Sequence, residues 1–485
     1  MSLTFLISIP LLTACFIALL QPKHLKIIER GVIVSSFLQL GFILFIIPSV
    51  LSRGSITGSA LFSIDALGAF LALVIALIGF FTSLYSIGYF RAEVAKEIVG
   101  PTRVRQFFLL LQLFLCAMLL AVSTINPVVM WIAIEATTLS TAFLISFYNK
   151  QTSTEAAWKY LIINSLGLLL GLLGTILFVA ARGENSGALT WAVLQNSVGG
   201  ISPAALKIAF VFIFVGYSTK VGLVPFHTWK PDTYSKAPTP IVALLSGVLL
   251  NVAFFALLRF KSVVDAGLHS AEFTSSFLIF FGLVSLVFSA LLIFIQKNYK
   301  RLLAYSSIEH AGILALGFGF GGFALYAALL HMLFNSLAKA LLFFSAGNIF
   351  LKYSSTKMRN VTGMVRVLPL SAPIFFVGSL AALGFPPFGL FFTEFMTFSA
   401  GINDHQTAVI IGMLSVLVIF FGFFKHLSAL FFGEAPEGIA KGESNLFTQW
   451  PVLVLLALFL VLSWHIPASL DELIRFAAHN LSTNF

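Results

Sequence analysis

Charge is the scarcest commodity in this chain of 485 residues: Asp, Glu, Lys and Arg together make up 9% of it, where soluble domains carry roughly 25%. With 59% apolar residues and a mean hydropathy of +1.02, the apolar surface is too large for a water-soluble core, and the same figures exclude a disordered chain. Cysteine is nearly absent. Cys15 and Cys116 lie in apolar runs far apart, which excludes a disulfide scaffold and leaves too few thiols for an iron–sulfur cluster or a structural zinc. No cofactor or metal is therefore expected in this chain, and any redox centre is expected on a partner subunit. No P-loop or paired-glycine nucleotide fingerprint occurs, and Gly317-Phe-Gly-Phe-Gly-Gly322 reads as a tight link between helices. The net charge of +10 comes from cations scattered through short links, without a run or interleaved aromatics, so nucleic acid is not an expected partner. Leu12-Thr-Ala-Cys15 resembles a lipoprotein cleavage box, but no Lys or Arg precedes it, and residues 2–20 read as a first span.

What the chain does have is long apolar runs. Breaks at charged residues, Gly and Pro divide it into about 14 spans, near 2–20, 31–51, 66–88, 106–123, 127–148, 156–181, 203–226, 238–258, 273–296, 302–320, 323–350, 368–392, 406–424 and 449–470. The expected fold is an all-α polytopic membrane protein in contact with lipid. Twenty of the Lys and Arg residues fall in links after odd-numbered spans; Arg53, Arg182, Lys207, Arg259, Lys261 and Arg475 fall on the opposite side. The positive-inside bias puts the odd links in the cytoplasm and both termini on the outer face.

The remaining cations, Lys220 and Lys339, lie within spans, as do the carboxylates Glu135 and Glu394. An ionisable group at the bilayer centre costs on the order of 3 kcal/mol, so it faces protein or a wet cavity. Held near balance between desolvation and an opposite charge, such a Glu and Lys exchange protons when a neighbouring charge changes; the alternative is a static ion pair tying helices together. His331, Asn335 and Lys339 are spaced by four, which places them on one helical stripe, and Glu309 and His310 are adjacent in the tenth span. These groups are candidates for a proton relay; polar helix packing, or haem ligation by His310 and His331, are the other readings. Pro225 interrupts the seventh span after Lys220, and Pro386 and Pro387 interrupt the twelfth before Glu394. Interrupted spans five apart suggest two five-helix repeats, inverted because five is odd, with midplane sites. The expected organisation is a three-helix segment at 1–105, repeats at 106–258 and 273–432, and a final helix with a short tail at 449–485.

Ser218-Thr-Lys-Val-Gly-Leu-Val-Pro-Phe-His-Thr-Trp-Lys-Pro-Asp232, followed by Ala237-Pro-Thr-Pro-Ile-Val-Ala-Leu-Leu-Ser-Gly-Val248, resembles the signature of the antiporter-like, proton-pumping subunits of complex I, Mrp antiporters and group 4 membrane-bound hydrogenases. Leu84-Tyr-Ser-Ile-Gly-Tyr-Phe90, Lys300-Arg-Leu-Leu-Ala-Tyr-Ser-Ser307 and Ala338-Lys-Ala-Leu-Leu-Phe343 support it. Ile134-Glu-Ala-Thr-Thr-Leu139, Glu155-Ala-Ala-Trp-Lys-Tyr160 and Ser306-Ser-Ile-Glu-His310 look most like hydrogenase-4 component F. The resemblance implies a 14-helix core with outward-facing termini and relay roles for Glu135, Lys220, Lys339 and Glu394. It also implies membrane antiporter-like and anchor subunits as partners, together with peripheral hydrogenase-like subunits carrying iron–sulfur and nickel–iron centres. One departure is Asn251 in span eight, where complex I relatives often carry lysine; water, His310, His331 or another group then has to join the half-channels. The long lateral helix of the distal complex I subunit is not expected. The function expected is proton translocation in a hydrogenase-like or complex-I-like oxidoreductase of the prokaryotic inner membrane. A subunit of an Mrp-type sodium/proton antiporter is the alternative, and a purely structural anchor a third reading.

Overall fold

A backbone crossing lipid must satisfy its own hydrogen bonds, and this chain does so almost entirely with α-helices. The computed structural model describes residues 3–59, 61–181 and 189–482; Arg182 and the first residue of the first expected span lie outside them. The helices that matter are α1 (Thr4–Leu19), α2 (Leu25–Arg53), α3 (Ala66–Ala95), α4 (Pro101–Ser123), α5 (Pro127–Ile145), α6 (Gln151–Ala181) and α7 (Pro203–Val221). They continue with the short α8 (Trp229–Lys236) and α9 (Thr239–Leu268). After these come α10 (Glu272–Ile293), α11 (Tyr299–Phe320), α12 (Phe323–Tyr353), α13 (Ser371–Ala382), α14 (Gly389–Gly401), α15 (Gln406–Phe432), α16 (Gln449–Trp464) and α17 (Ala468–Ser482). Twelve helices among the described residues are long and apolar enough to cross a membrane. The other two expected spans are the 16-residue α1 and the broken pair α13 and α14.

Side-chain caps set several starts. Asn126 accepts from the amides of Val128 and Val129, with Pro127 at the first helical position of α5, and Asn298 does the same for Lys300 and Arg301 at α11. The core is α9, α11 and α12, buried along their apolar length, with α3 beside them. The outer helices turn large apolar side chains outward, among them Phe37, Leu166, Phe280, Leu417 and Val461. A soluble protein does not expose such a belt; in lipid it is solvated.

The interruptions fall at the prolines. Gly222, in the left-handed region at φ 76°, ends α7, and the chain turns through the cis Val224–Pro225 bond before α8 begins. Residues 383–388, with the cis Pro386–Pro387 bond, separate α13 from α14. In each set of five spans, α4 to α9 and α10 to α15, the fourth is the interrupted one. The third packs on it: α6 on α7, and α12 on both α13 and α14.

Ion pairs between links test the span count. Asp232, after the seventh span, binds Lys159 at 3.3 Å and Arg301 at 2.5 Å, from the links after the fifth and ninth. Arg91 binds Glu29 at 2.5 Å, joining the links after the third and first. Asp65 and Arg259, 2.6 Å apart, join the links after the second and eighth. Odd meets odd and even meets even, as alternate crossings require.

Three features depart from the sequence reading. The link between α2 and α3 forms an antiparallel hairpin of β1 (Ser55–Thr57) and β2 (Ser63–Asp65). The last span stops at Trp464, ahead of His465-Ile-Pro467, because proline at 467 favours a restart over a continuation. Past it the tail folds as amphipathic α17, which buries Leu473, Ile474 and Ala477 and is tied down by Tyr326 donating to Asp471 at 2.6 Å.

Candidate functional site

Lys220 sits one turn before the break in α7 and is 1% exposed. Its ammonium donates to Thr138 Oγ1 at 2.8 Å and to the Tyr160 hydroxyl at 2.9 Å, and it lies 5.1 Å from the centre of the Tyr160 ring. Thr138 in turn reaches Glu135 Oε2 at 3.3 Å, while Ser165 donates to Glu135 Oε1 at 2.6 Å. A hydroxyl has one proton to give and lone pairs to receive. Thr138 therefore accepts from the lysine and donates to the carboxylate, standing between base and acid. Glu135, Thr138 and Thr141 recur every three residues along α5, which sets them on one face; Thr141 shares a 2.6 Å hydrogen bond with Tyr160. Glu135 itself is only partly buried, so this cluster begins at the rim of the chain and runs inward to Lys220.

A second cluster lies between α11, α12, α13 and α14. Lys339, fully buried, donates to Ser306 at 2.7 Å. Glu309, one turn along α11, is buried with Oε2 unpartnered, and the charges of Glu309 and Glu394 both act on Lys339. Glu394, 6% exposed, packs its carboxylate against Gly384 in the break before α14. Among the described residues no direct ion pair joins Glu135, Lys220, Lys339, Glu309 or Glu394 to one another.

The two histidines complete this cluster. His310 Nε2 lies 3.0 Å from the carbonyl of Ala382, the last residue of α13. A carbonyl only accepts, so Nε2 carries the proton and, in the neutral ring, Nδ1 accepts. His331 Nε2, 3.1 Å away, must then donate to it, leaving His331 Nδ1 to face Thr393 Oγ1 at 2.9 Å. The break in the twelfth span thus frees a carbonyl that fixes the direction of a three-membered file. One ligand atom from each of His310, His331 and Glu394 lies within 4.8 Å of the others, close enough to share a metal ion.

Other expected residues are placed differently. Asn335 is buried on the His331 and Lys339 stripe, but neither atom of its amide has a partner, so no direct hydrogen bond continues the file through it. Asn251 lies just past a π-helical turn, Leu245–Leu249; its amide nitrogen donates to Gly247 O at 3.0 Å and Ser336 Oγ at 2.9 Å, joining α9 to α12.

The sequence reading missed several groups. Thr138, Thr141, Tyr160, Ser165, Ser306 and Thr393 are ordinary polar residues of apolar helices, and the one signal that could have pointed to any of them is the three-residue spacing of Glu135, Thr138 and Thr141. Lys230 was counted among the cytoplasmic link cations, and this assignment is corrected: it is fully buried and its Nζ has no partner. Lys300 and Lys261, also counted in links, are 3% and 8% exposed. The Pro225 turn carries Lys230 back into the protein, where Trp229 Nε1 pins α8 to the Thr219 carbonyl of α7 at 2.9 Å.

Comparison with known proteins agrees with this architecture. Residues 125–423 match the family described as NADH:quinone oxidoreductase/Mrp antiporter, TM. A hydrogenase-4 component F homolog from Methylacidiphilum infernorum is 40% identical over 344 residues, 70% of this chain and 72% of that protein. The fold matches a chain of an archaeal membrane-bound sulfane sulfur reductase with a TM-score of 0.87 at 22% identity, covering 99% of this chain and 98% of the other. It matches a chain of the Mrp complex from Dietzia sp. with a TM-score of 0.85 at 18% identity over the same shares. The chain belongs to the NADH:quinone oxidoreductase/Mrp antiporter transmembrane family.

Proposed function

We propose that this chain is a proton-translocating membrane subunit of a hydrogenase-like or complex-I-like oxidoreductase. The observation that carries the reading is the Thr138 bridge, a single hydroxyl between the Lys220 ammonium and the Glu135 carboxylate. A direct buried ion pair locks both charges, whereas an intervening hydroxyl passes a proton between them while each group stays in place. The second cluster offers the same elements at Lys339, Ser306 and Glu309, and continues through His331 and His310 toward Glu394. The unpartnered amide of Asn335 supplies both a donor and an acceptor for water between Lys339 and His331. The ammonium groups of Lys220 and Lys339 repel a sodium ion, which favours protons as the transported species.

Redox chemistry belongs to partner subunits on this reading, with iron–sulfur and nickel–iron centres among the expected groups; this chain supplies the path. Membrane antiporter-like subunits are its expected neighbours, and the partly exposed Glu135 marks where a path meets the edge of the chain. The charge asymmetry of the links favours the inner membrane with both termini on the outer face. The test is proton uptake by vesicles carrying the whole complex, driven by its electron donor in sodium-free buffer. A pH gradient is expected without sodium; exchange that requires sodium and no redox substrate contradicts the proposal.

A further inference from the structure

We infer that Lys230 is the proton carrier that joins the two clusters, in place of a lysine in span eight. The inference rests on the translocation reading and adds to it the residue that makes one path out of two halves. Span eight offers Asn251 where complex I relatives often carry lysine, and its amide nitrogen is committed to the π-helical turn and to Ser336. An amide also has no proton to release near neutral pH.

Lys230 has what Asn251 lacks. It is a titratable group, fully buried, with no hydrogen-bond partner for its ammonium. An unpaired buried ammonium is so costly that it persists only where the group gives up its proton or where the site has a use for it. Its side chain folds back across the break against Gly222, at the C-terminal end of the helix that carries Lys220. That end is the negative pole of the helix, which tolerates an ammonium arriving there. On its other side the charge of Lys339 acts on Lys230. Trp229, its ring centre 6.0 Å from Nζ, walls the site, and the charge of Lys230 acts on His227, which is buried with Nδ1 unpartnered.

Lys230 therefore packs at the end of the helix that carries Lys220 and is within reach of the charge of Lys339, and the three lysines come from different segments. Like charges so arranged do not all stay protonated. On this route the Lys220 ammonium gives up a proton and becomes the amine, the Lys230 amine takes it and becomes the ammonium, and the repulsion between Lys230 and Lys339 drives the proton on Lys339 onward to Glu309 or the histidines. Hydroxyls on the side of the second cluster give the proton an intermediate stop: Ser246 Oγ lies 2.6 Å from Ser307 Oγ, next in sequence to the Ser306 that holds Lys339. Ser246 belongs to the π-helical turn, a feature that often marks a functional position.

The test uses the intact complex in vesicles, comparing proton movement per electron in Lys230→Met, Lys230→Arg and Lys220→Ala variants. Lys230→Met keeps the side-chain length and loses the titration; Lys230→Arg keeps the charge and does not release its proton. Both are expected to lower the rate of proton translocation about a hundredfold while the complex assembles and electron transfer persists. A structural role for the ammonium predicts instead that the arginine variant pumps normally, and that result overturns the inference even if the methionine variant fails to assemble. Normal pumping by Lys230→Met with pumping lost in Lys220→Ala also overturns it, leaving the translocation reading intact. Normal pumping by all three removes that reading, and this inference with it.

Discussion

At the scale of single residues, the proposed path depends on groups that sit between charges. Thr138 is the clearest: without its hydroxyl, Lys220 and Glu135 have no shared hydrogen-bond partner in the described structure. Thr138→Val keeps the shape and removes the bridge, so proton translocation is expected to fall about tenfold or more while Thr138→Ser stays near the parent rate; proton movement per electron in vesicles reads both. Outside the membrane-spanning segments, Asp65 serves two purposes, capping α3 through the Gly68 amide and pairing with Arg259. Burial works against its charge, yet Arg259 and the amide outweigh burial and hold its carboxyl below the ordinary value of 3.8. A lowered folded value means stability that is present above the unfolded value and lost as pH falls through the folded one. Asp65→Asn, which keeps a capping oxygen, is therefore expected to destabilise the protein at neutral pH and to converge with the parent in acid, as pH falls through the lowered folded value. Thermal unfolding in detergent across that range checks the crossover.

At the scale of elements, the interrupted helices do most of the positioning. Gly222 gives the α7 break its left-handed turn, and a side chain there would also meet Lys230 Cδ at 2.7 Å and Nζ at 3.0 Å. Gly222→Ala is expected to cost about 1 to 3 kcal/mol for the backbone alone and to impair translocation by displacing Lys230, measured as melting temperature and pumping on the same preparation. The helices, their order and both breaks were legible in the sequence because apolar runs, prolines and glycines act locally. The charged members Glu135, Lys220, Lys339 and Glu394 were legible because a charge inside an apolar run is conspicuous. Thr138, Tyr160 and Ser306 were not, since hydroxyls are common in spans and only helix packing decides which of them meets a lysine. Lys230 was misplaced for a related reason: a cation beside a span end looks like a topology marker, and the turn at Pro225 that folds it inward is a tertiary event. The hairpin at β1 and β2 and the docked α17 escaped notice because each draws its stability from the helices around it.

At the scale of the whole molecule, the fold is a belt of lipid-facing helices around a buried axis of α9, α11 and α12, with the ionisable groups strung between the two interrupted helices. The ion pairs show which links share a side of the membrane, and the proposed orientation puts the odd links, with their excess of cations, in the cytoplasm. Exposed positions in two links report the orientation: a cysteine at Ser59 is expected to react with an impermeant thiol reagent added to intact cells, and one at Glu97 only after the membrane is opened. The reverse pattern contradicts the assignment. The central claim is that buried acid and base groups in this chain carry protons, and the most direct measurement is the ratio of protons moved to electrons transferred by the intact complex in vesicles bearing Lys220→Ala or Glu135→Gln. If these groups carry protons, the ratio falls below that of the parent complex while electron transfer continues; an unchanged ratio in both variants rules the claim out.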